Sequence, residues 1–427
     1  MGRIPLTGLD RLNYYSRGLK QRAAGGSYRQ WGCGRLKMGL SKAITYRGFF
    51  FSGGAFPGRC LRVGILYLVL SVYQMPGAAA HAAPFAYVTN AGSGSVSVIN
   101  TATNTVITTI PVGLTPEQVA VTPNGLFAYV AKSDGSNLGS VSVIATASNT
   151  VAGSPIPVGV APVGVAITPN GAFVYVANSG SNNVSVIATA SNTVTATVPV
   201  GSGPAGVAIT PNGAFVYVSN FASNPGSVSV IATASNTVTT TIPVEANPVG
   251  VAITPDGAFA YVANSASNNV SVIATASNTV TATVPVGSGP AGVAITPNGL
   301  SAYVSNFTSN PGSVSVIATA TNMVTTTISV GQRPDFLAVS LNGASVFVPN
   351  QNSNNVSVIA TASNTVTATI SVEVSPTGVA TTPPNIPIIP TLSDGALLFL
   401  LAAMAAALAL RILTRQASPP PRPPGAI

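Results

Sequence analysis

One tetrapeptide recurs seven times in this chain, and its spacing constrains the fold more than any other feature. An aromatic residue followed by Val, a small residue and Asn or Lys begins at Tyr87, Tyr129, Tyr175, Tyr217, Tyr261, Tyr303 and Phe347. Successive copies lie 42 to 46 residues apart. A period near 40 written only in β-type residues is the mark of a radial array of small sheets. In the copy from Gly164 to Val200, Gly164–Thr168 reads as a short apolar strand and Phe173–Ala177 as a second. Val184–Ile187 reads as a third, and Val194–Val198, which alternates apolar residues with Thr or Ala, as a half-exposed fourth. Thr168-Pro-Asn-Gly171 carries Pro and Gly where a type I turn takes them. Pro199 ends the fourth strand, and proline is tolerated at a sheet edge, so the fourth strand is outermost and the first innermost. The expected fold is all-β: a seven-bladed β-propeller of four-stranded blades, with an N-terminal signal segment and one C-terminal transmembrane helix outside it.

Counting strands sharpens the expectation. The second, third and fourth strands occur seven times from Phe85 onward, but the first copy has no first strand before it. The seventh first strand comes last, at Thr377–Ala380. It is expected to pair with Phe85–Asn90, closing the ring and removing its open ends.

Charge separates the chain into parts. Its formal net charge is +9, yet twelve of the 17 Lys and Arg precede residue 63. Between Pro84 and Pro383 only Lys132 and Arg333 stand against Glu117, Asp134, Glu245, Asp256, Asp335 and Glu373, a net of −4. A nucleic-acid partner, which wants a basic stripe, is therefore not expected. Cys33, Cys60, Trp31 and the single His81 all precede the repeats. The repeats thus offer no disulfide, no Cys/His zinc site and no His-based catalytic dyad. No Asp-x-Asp-x-Asp-Gly spacing occurs either, so neither metal nor cofactor is expected.

The two ends read as addresses. Arg59 and Arg62 precede the apolar run Val63–Tyr73, which gives way to small residues and Ala80-His81-Ala82, the order of a secretory signal cleaved before Ala83. The expected divisions are 1–82, an N-terminal extension and signal peptide; 83–384, the propeller; 385–395, a linker; 396–413, a transmembrane helix; and 414–427, a cytoplasmic tail. Gly395–Leu410 is uncharged, and Arg411, Arg415 and Arg422 follow with no acid, which places the tail inside and the repeats outside.

Two resemblances attach to these motifs. The wording Tyr-Val-Ala/Ser-Asn, Ser-Val-Ile and Thr-Pro-Asn-Gly resembles the YVTN family of seven-bladed propellers, found in bacterial and archaeal surface or periplasmic proteins, over about 300 residues. Ile389-Pro390-Thr391-Leu392-Ser393, followed by an apolar stretch and an Arg-containing tail, resembles the IPTL-CTERM sorting signal of Gram-negative bacteria. These resemblances imply a signal peptidase and an exosortase-like sorting enzyme as partners. They also imply a location in the periplasm or at the cell surface, with at least transient anchoring in the inner membrane. The C-terminal motif keeps the acid of its family's continuation in Asp394 but lacks the Trp.

Blades beginning at Tyr175 and Tyr217 are nearly repeated 86 residues later at Tyr261 and Tyr303. Near-identical copies suit a scaffold or a repetitive binding surface. Seven of the eight propeller charges fall on one face, that of the loops after the second and fourth strands, with Asp256 alone opposite. Variable loops on a rigid scaffold are where binding concentrates. Glu117, Lys132, Asp134, Arg333 and Asp335 are the expected ligand-binding residues. The composition is read as a non-enzymatic structural or adhesive module for a protein or glycan. The alternative is a periplasmic small-molecule binder or lactonase-like enzyme at the channel mouth, for which Glu117, Arg333 and Asp335 are the candidate groups.

Overall fold

A computed structural model describes residues 84–133 and 139–383, within the second of two compact units, Gly77–Ile427. The signal segment, Asp134, the sorting motif Ile389–Ser393 and the expected C-terminal helix lie outside the described residues. Among those described, no helix is long and apolar enough to cross a membrane.

The described chain forms seven antiparallel sheets. Blade 3 is typical: inner strand Pro162–Ile167, then Phe173–Asn178, Asn183–Ala188 and outer strand Thr193–Pro199. The hairpin chemistry follows the sequence. The Gly171 N–H donates to the Thr168 carbonyl (2.7 Å), closing the type I turn, and Gly171 takes φ of 72°, which glycine adopts without strain. The Thr168 hydroxyl oxygen accepts from the Phe173 N–H (3.0 Å), and Asn170 Oδ1 accepts from the Ala172 N–H (3.0 Å). At the turn between third and outer strands an Asn occupies the left-handed region in every blade, for example Asn192 at φ 53°.

The ring closes as the strand count required. Pro376–Thr381 pairs antiparallel with Phe85–Asn90, with Ala86 opposite Thr381 and Val88 opposite Val379. It is the inner strand of blade 1. Two blades depart from the pattern. In blade 2 the outer strand is split into Thr150–Val151 and Ile156–Val158 around Gly153-Ser154-Pro155. Proline cannot donate to a ladder, so the break is tolerated at this edge. In blade 7 the inner strand shrinks to Ala338–Val339, with Pro334 making an isolated bridge to Asn350.

The core lies between blades. Each of seven apolar clusters joins two neighbours, as Tyr175, Val184, Val186 and Val198 of blade 3 pack on Val207, Val216, Val218 and Ile231 of blade 4. The closing junction is built alike, from Phe347, Val356, Val358 and Ile370 against Ala86, Val88, Ile99 and Val379. Packing on both faces explains why the second and third strands are continuous apolar runs. Tyrosine hydroxyls stitch the junctions. Tyr87, Tyr129, Tyr175, Tyr217, Tyr261 and Tyr303 each donate to the turn Asn of the next blade, at 2.5 to 2.7 Å.

Candidate active site at the ring seam

The seven inner strands start alike, with a proline opposite the last residue of the second strand, or in blade 2 the last but one. In six blades the two residues after that proline face a single residue on the second strand, a β-bulge. A bulge frees the chain from the ladder and re-aims its side chains. The first bulge residue is Val163, Ala205, Val249 and Ala291 in blades 3 to 6. It is Glu117 in blade 2 and Thr377 in blade 1, and Asp335 holds the same place in blade 7. Blades 7, 1 and 2 are consecutive around the ring: the Phe336 N–H donates to the Thr377 carbonyl (3.1 Å), and Thr377 Oγ1 lies 3.0 Å from the Glu117 carbonyl. Three polar residues thus occupy adjacent inner strands at the seam that joins the two ends of the ring.

The backbone at Glu117 is held firmly. Thr377 Oγ1 is also 3.1 Å from the Pro116 carbonyl and 3.0 Å from Thr89 Oγ1. Thr89 Oγ1 itself donates to the Glu117 carbonyl and accepts the Gly378 N–H (2.8 Å). Thr377 is 2% exposed.

The next bulge residue is Gly in five blades, but Gln118 in blade 2 and Phe336 in blade 7. The glycines are required by close approach: a Cβ on Gly206 would stand 2.3 Å from the Val249 carbonyl oxygen. Blade 2 accommodates Gln118 within a full-length inner strand, whereas in blade 7 the inner strand carrying Phe336 is shortened. Gln118 and Phe336 line a central cavity of about 90 Å³ together with Val119, Val207, Val293 and Val379. The two acids immediately precede these cavity-lining residues.

Electrostatics sets the acids apart. Glu117 keeps part of its surface open but is crowded by protein on its other sides, and this desolvation pushes its carboxyl up to about 7. Asp335 is 8% exposed. Burial, and then the neighbouring Glu117 charge, push it up to about 8, against the Phe336 N–H and, weakest, the Arg333 charge. The carboxyls therefore share one field, and the first proton lost reduces the tendency to lose the second.

Two cations flank the pair. Lys132 stands opposite Pro116, next to Glu117. In the six other blades this residue is Asn, 0% exposed, its Nδ2 donating to serines of the third strand. The Oδ1 of those six has no hydrogen-bond partner among the described residues. Lys132 is 7% exposed, and its ammonium packs against Gly113. Ser142, deprived of an Asn donor, turns its hydroxyl to the Val112 carbonyl (3.3 Å). Arg333, at φ 54°, is exposed and lays its guanidinium over the Phe307 ring, 4.3 Å from the centroid, a cation–π contact.

Of the residues expected from sequence, Glu117 and Asp335 are brought into one electrostatic field, with Lys132 and Arg333 beside them. Thr377, Gln118 and Phe336 were not singled out. The signal was available in the sequence: aligning the seven inner strands on their prolines isolates all three. No group of three or more His, Cys, Asp or Glu that could hold a metal occurs among the described residues.

A family model described as "Lactonase, 7-bladed beta-propeller" matches residues 187–283 and 273–380. The chain is similar to lactonase-type propellers. Among solved structures it resembles a hydrazine synthase of Kuenenia stuttgartiensis at 26% identity, with a TM-score of 0.59, over 65% of this chain and 92% of that one. It resembles a periplasmic gluconolactonase of Pseudomonas aeruginosa at 20% identity, TM-score 0.60, over 71% and 99%. It also resembles a protein from Bacteroides uniformis described as a putative 6-phosphogluconolactonase, at 18% identity, TM-score 0.57, over 70% and 99%. No curated protein matches.

The lactonase match corrects one expectation. Absence of Cys and His was read as a sign of a domain without enzymatic activity, yet the family matched is one of enzymes. The physical reason is that acid/base chemistry does not require His or Cys, because carboxyls whose environments shift them apart can take both parts. The structural or adhesive reading finds no support in these relatives, and the lactonase-like alternative fits them better.

Proposed function

We propose that this chain is an exported lactonase-like hydrolase that opens small cyclic esters at the channel mouth over blades 7, 1 and 2. The observation that carries the reading is the pair Glu117 and Asp335, placed on either side of Thr377 and raised to about 7 and about 8. Near neutral pH Glu117 is partly ionised and Asp335 mostly protonated. Glu117 takes a proton from water as the water oxygen attacks the lactone carbonyl carbon. The tetrahedral centre collapses, the ring C–O bond breaks, and Asp335 delivers its proton to the departing alkoxide. The product is an open hydroxy acid that releases its carboxyl proton to solvent, and the resulting carboxylate meets the positive charge of Lys132 and Arg333. One proton moves onto Glu117 and one leaves Asp335, so the two acids exchange protonation states, and solvent exchange restores them. The periplasm is the proposed location, supported by the signal-like segment 59–83 and by the periplasmic gluconolactonase among the structural relatives. Ile389–Ser393 remains the proposed site for a sorting enzyme.

The test is pH-stat hydrolysis of a panel of aldonolactones and γ- and δ-lactones by the full chain. Activity should rise as Glu117 ionises and fall as Asp335 ionises, giving a narrow bell centred between their values. Glu117→Gln and Asp335→Asn should each lower kcat by about 10²–10⁴-fold. Wild-type rates no higher than buffer across the panel, or full activity in either variant, would overturn the reading.

A further inference from the structure

The face opposite the acid pair has a different character. It carries the turns between inner and second strands, and there each blade from 2 to 7 exposes an apolar side chain. Phe127, Phe173, Phe215 and Phe259 are 37 to 39% exposed, and Leu300 and Leu341 are 63% and 50% exposed. The phenylalanines open the second strands of four consecutive blades, immediately after the turn. Among the described residues the only charge in these turns is Asp256, whose Oδ1 is engaged by the Thr254 hydroxyl and the Ala258 N–H. Apolar side chains repeated on one face that is poor in charge point to an interaction site.

The chain ends say what covers it. The Phe85 N–H donates to Thr382 Oγ1 (2.8 Å) and the Thr382 N–H to the Phe85 carbonyl (2.8 Å), the bonds that Phe173 and Thr168 make within one turn. Pro383 packs on Gly125 as Pro123 packs on Gly171. The propeller's two ends therefore sit at a turn position on this face. Gly395, where the uncharged stretch to Leu410 begins, follows Pro383 by 12 residues. A chain of that length spans at most about 40 Å. An apolar segment in a bilayer would hold this face close to the same bilayer at high effective concentration.

We propose that the inner-turn face docks on the lipid surface, inserting its ring of Phe and Leu side chains at headgroup level and leaving the acid pair facing away from the membrane. Aromatic rings favour that depth. With no Lys or Arg in these turns, contact is apolar and needs only zwitterionic lipid. This inference does not depend on the hydrolytic reading.

The test uses the full chain carrying Trp31→Phe in phosphatidylcholine vesicles, with tryptophan placed on either face by Phe215→Trp or Phe221→Trp. Phe221 is 41% exposed and lies in a loop after a second strand, on the opposite face. Brominated phosphatidylcholine should quench the Phe215→Trp emission about twofold or more and leave Phe221→Trp unchanged. Adding Phe173→Ser and Phe259→Ser, both at exposed positions, should weaken the quenching without altering the far-UV circular dichroism. Absence of quenching at Phe215→Trp, or equal quenching at both positions, would overturn the proposal. So would an emission blue-shift of Phe215→Trp that grows with protein concentration in the absence of lipid, which would mean that a second protein copy covers this face.

Discussion

Blades 3 to 6 and blades 7, 1 and 2 are built on one plan and differ in what they spend it on. In the copied arc the first bulge residue is Val or Ala, the next is Gly, and the inner strands approach as closely as glycine allows. At the seam the same positions hold Glu117, Thr377 and Asp335, with Gln118 and Phe336 after the two acids. Lys132 replaces a buried Asn, and the inner strand of blade 7 loses most of its ladder. Regular repeats supply packing, and the proposed chemistry rests on the departures from them. Violations of local rules gathered in one place are the usual sign of a functional site.

The largest effect should come from breaking the seam itself. Deleting residues 375–383 in the full chain removes the inner strand of blade 1, Thr377 with its bonds to the Glu117 and Pro116 carbonyls, and Val379 from the closing cluster. The second strand of blade 1 would be left as an uncovered sheet edge, and blades 2 and 7 would lose their bonds to Thr377. Calorimetry should show Tm lower by at least about 10 °C, several kcal/mol for a domain of this size. An unchanged melting curve would mean that the ring does not depend on its closing strand.

Next in size is the effect of pH on the acid pair. Both carboxyls are raised above their ordinary values, so their contribution is fully present below the unfolded values near 4. It is lost as pH rises through about 7 for Glu117 and about 8 for Asp335. Asp335→Asn keeps the shape and removes the charge. At pH 9 it should be more stable than the wild type by on the order of a few kcal/mol, and at pH 4 the two should nearly coincide. Urea unfolding at the two pH values reads the difference. A variant equally destabilised at both would mean that Asp335 contributes through hydrogen bonds alone.

Much of this was legible in the sequence, for a physical reason. The tetrapeptide, the Thr-Pro-Asn-Gly turn and the terminal prolines each encode a local geometry, and seven copies fix strand order and closure. Glu117 and Asp335 stood out because charge is rare in the ring. Their adjacency did not stand out, because 218 residues separate them and only closure makes blades 7, 1 and 2 neighbours. Thr377 was hidden because a threonine among many threonines is conspicuous only against the Val and Ala of the same position in other blades. The inference from missing His and Cys failed because it weighed residue types and not environments, and burial raises two ordinary carboxyls well above their usual range.

The smallest prediction turns on a single hydroxyl. Six junctions carry a Tyr-to-Asn bond, and the closing junction of blade 7 on blade 1 does not, because Phe347 stands where the others have Tyr. Its counterpart, Asn104 Oδ1, is buried without a partner among the described residues. Burial raises all six tyrosines, Tyr87 to about 12, so each hydroxyl stays a neutral donor well into alkaline pH. Phe347→Tyr should therefore supply the missing donor and stabilise the ring by about 1 kcal/mol. The reverse change at a copied junction, Tyr303→Phe, leaves Asn364 Oδ1 unpaired and should cost about 1–3 kcal/mol. The two midpoints in urea should move in opposite directions. If Phe347→Tyr lowers the midpoint or leaves it fixed, the seam is already satisfied without the hydroxyl, and its difference from the copied junctions lies in the acids alone.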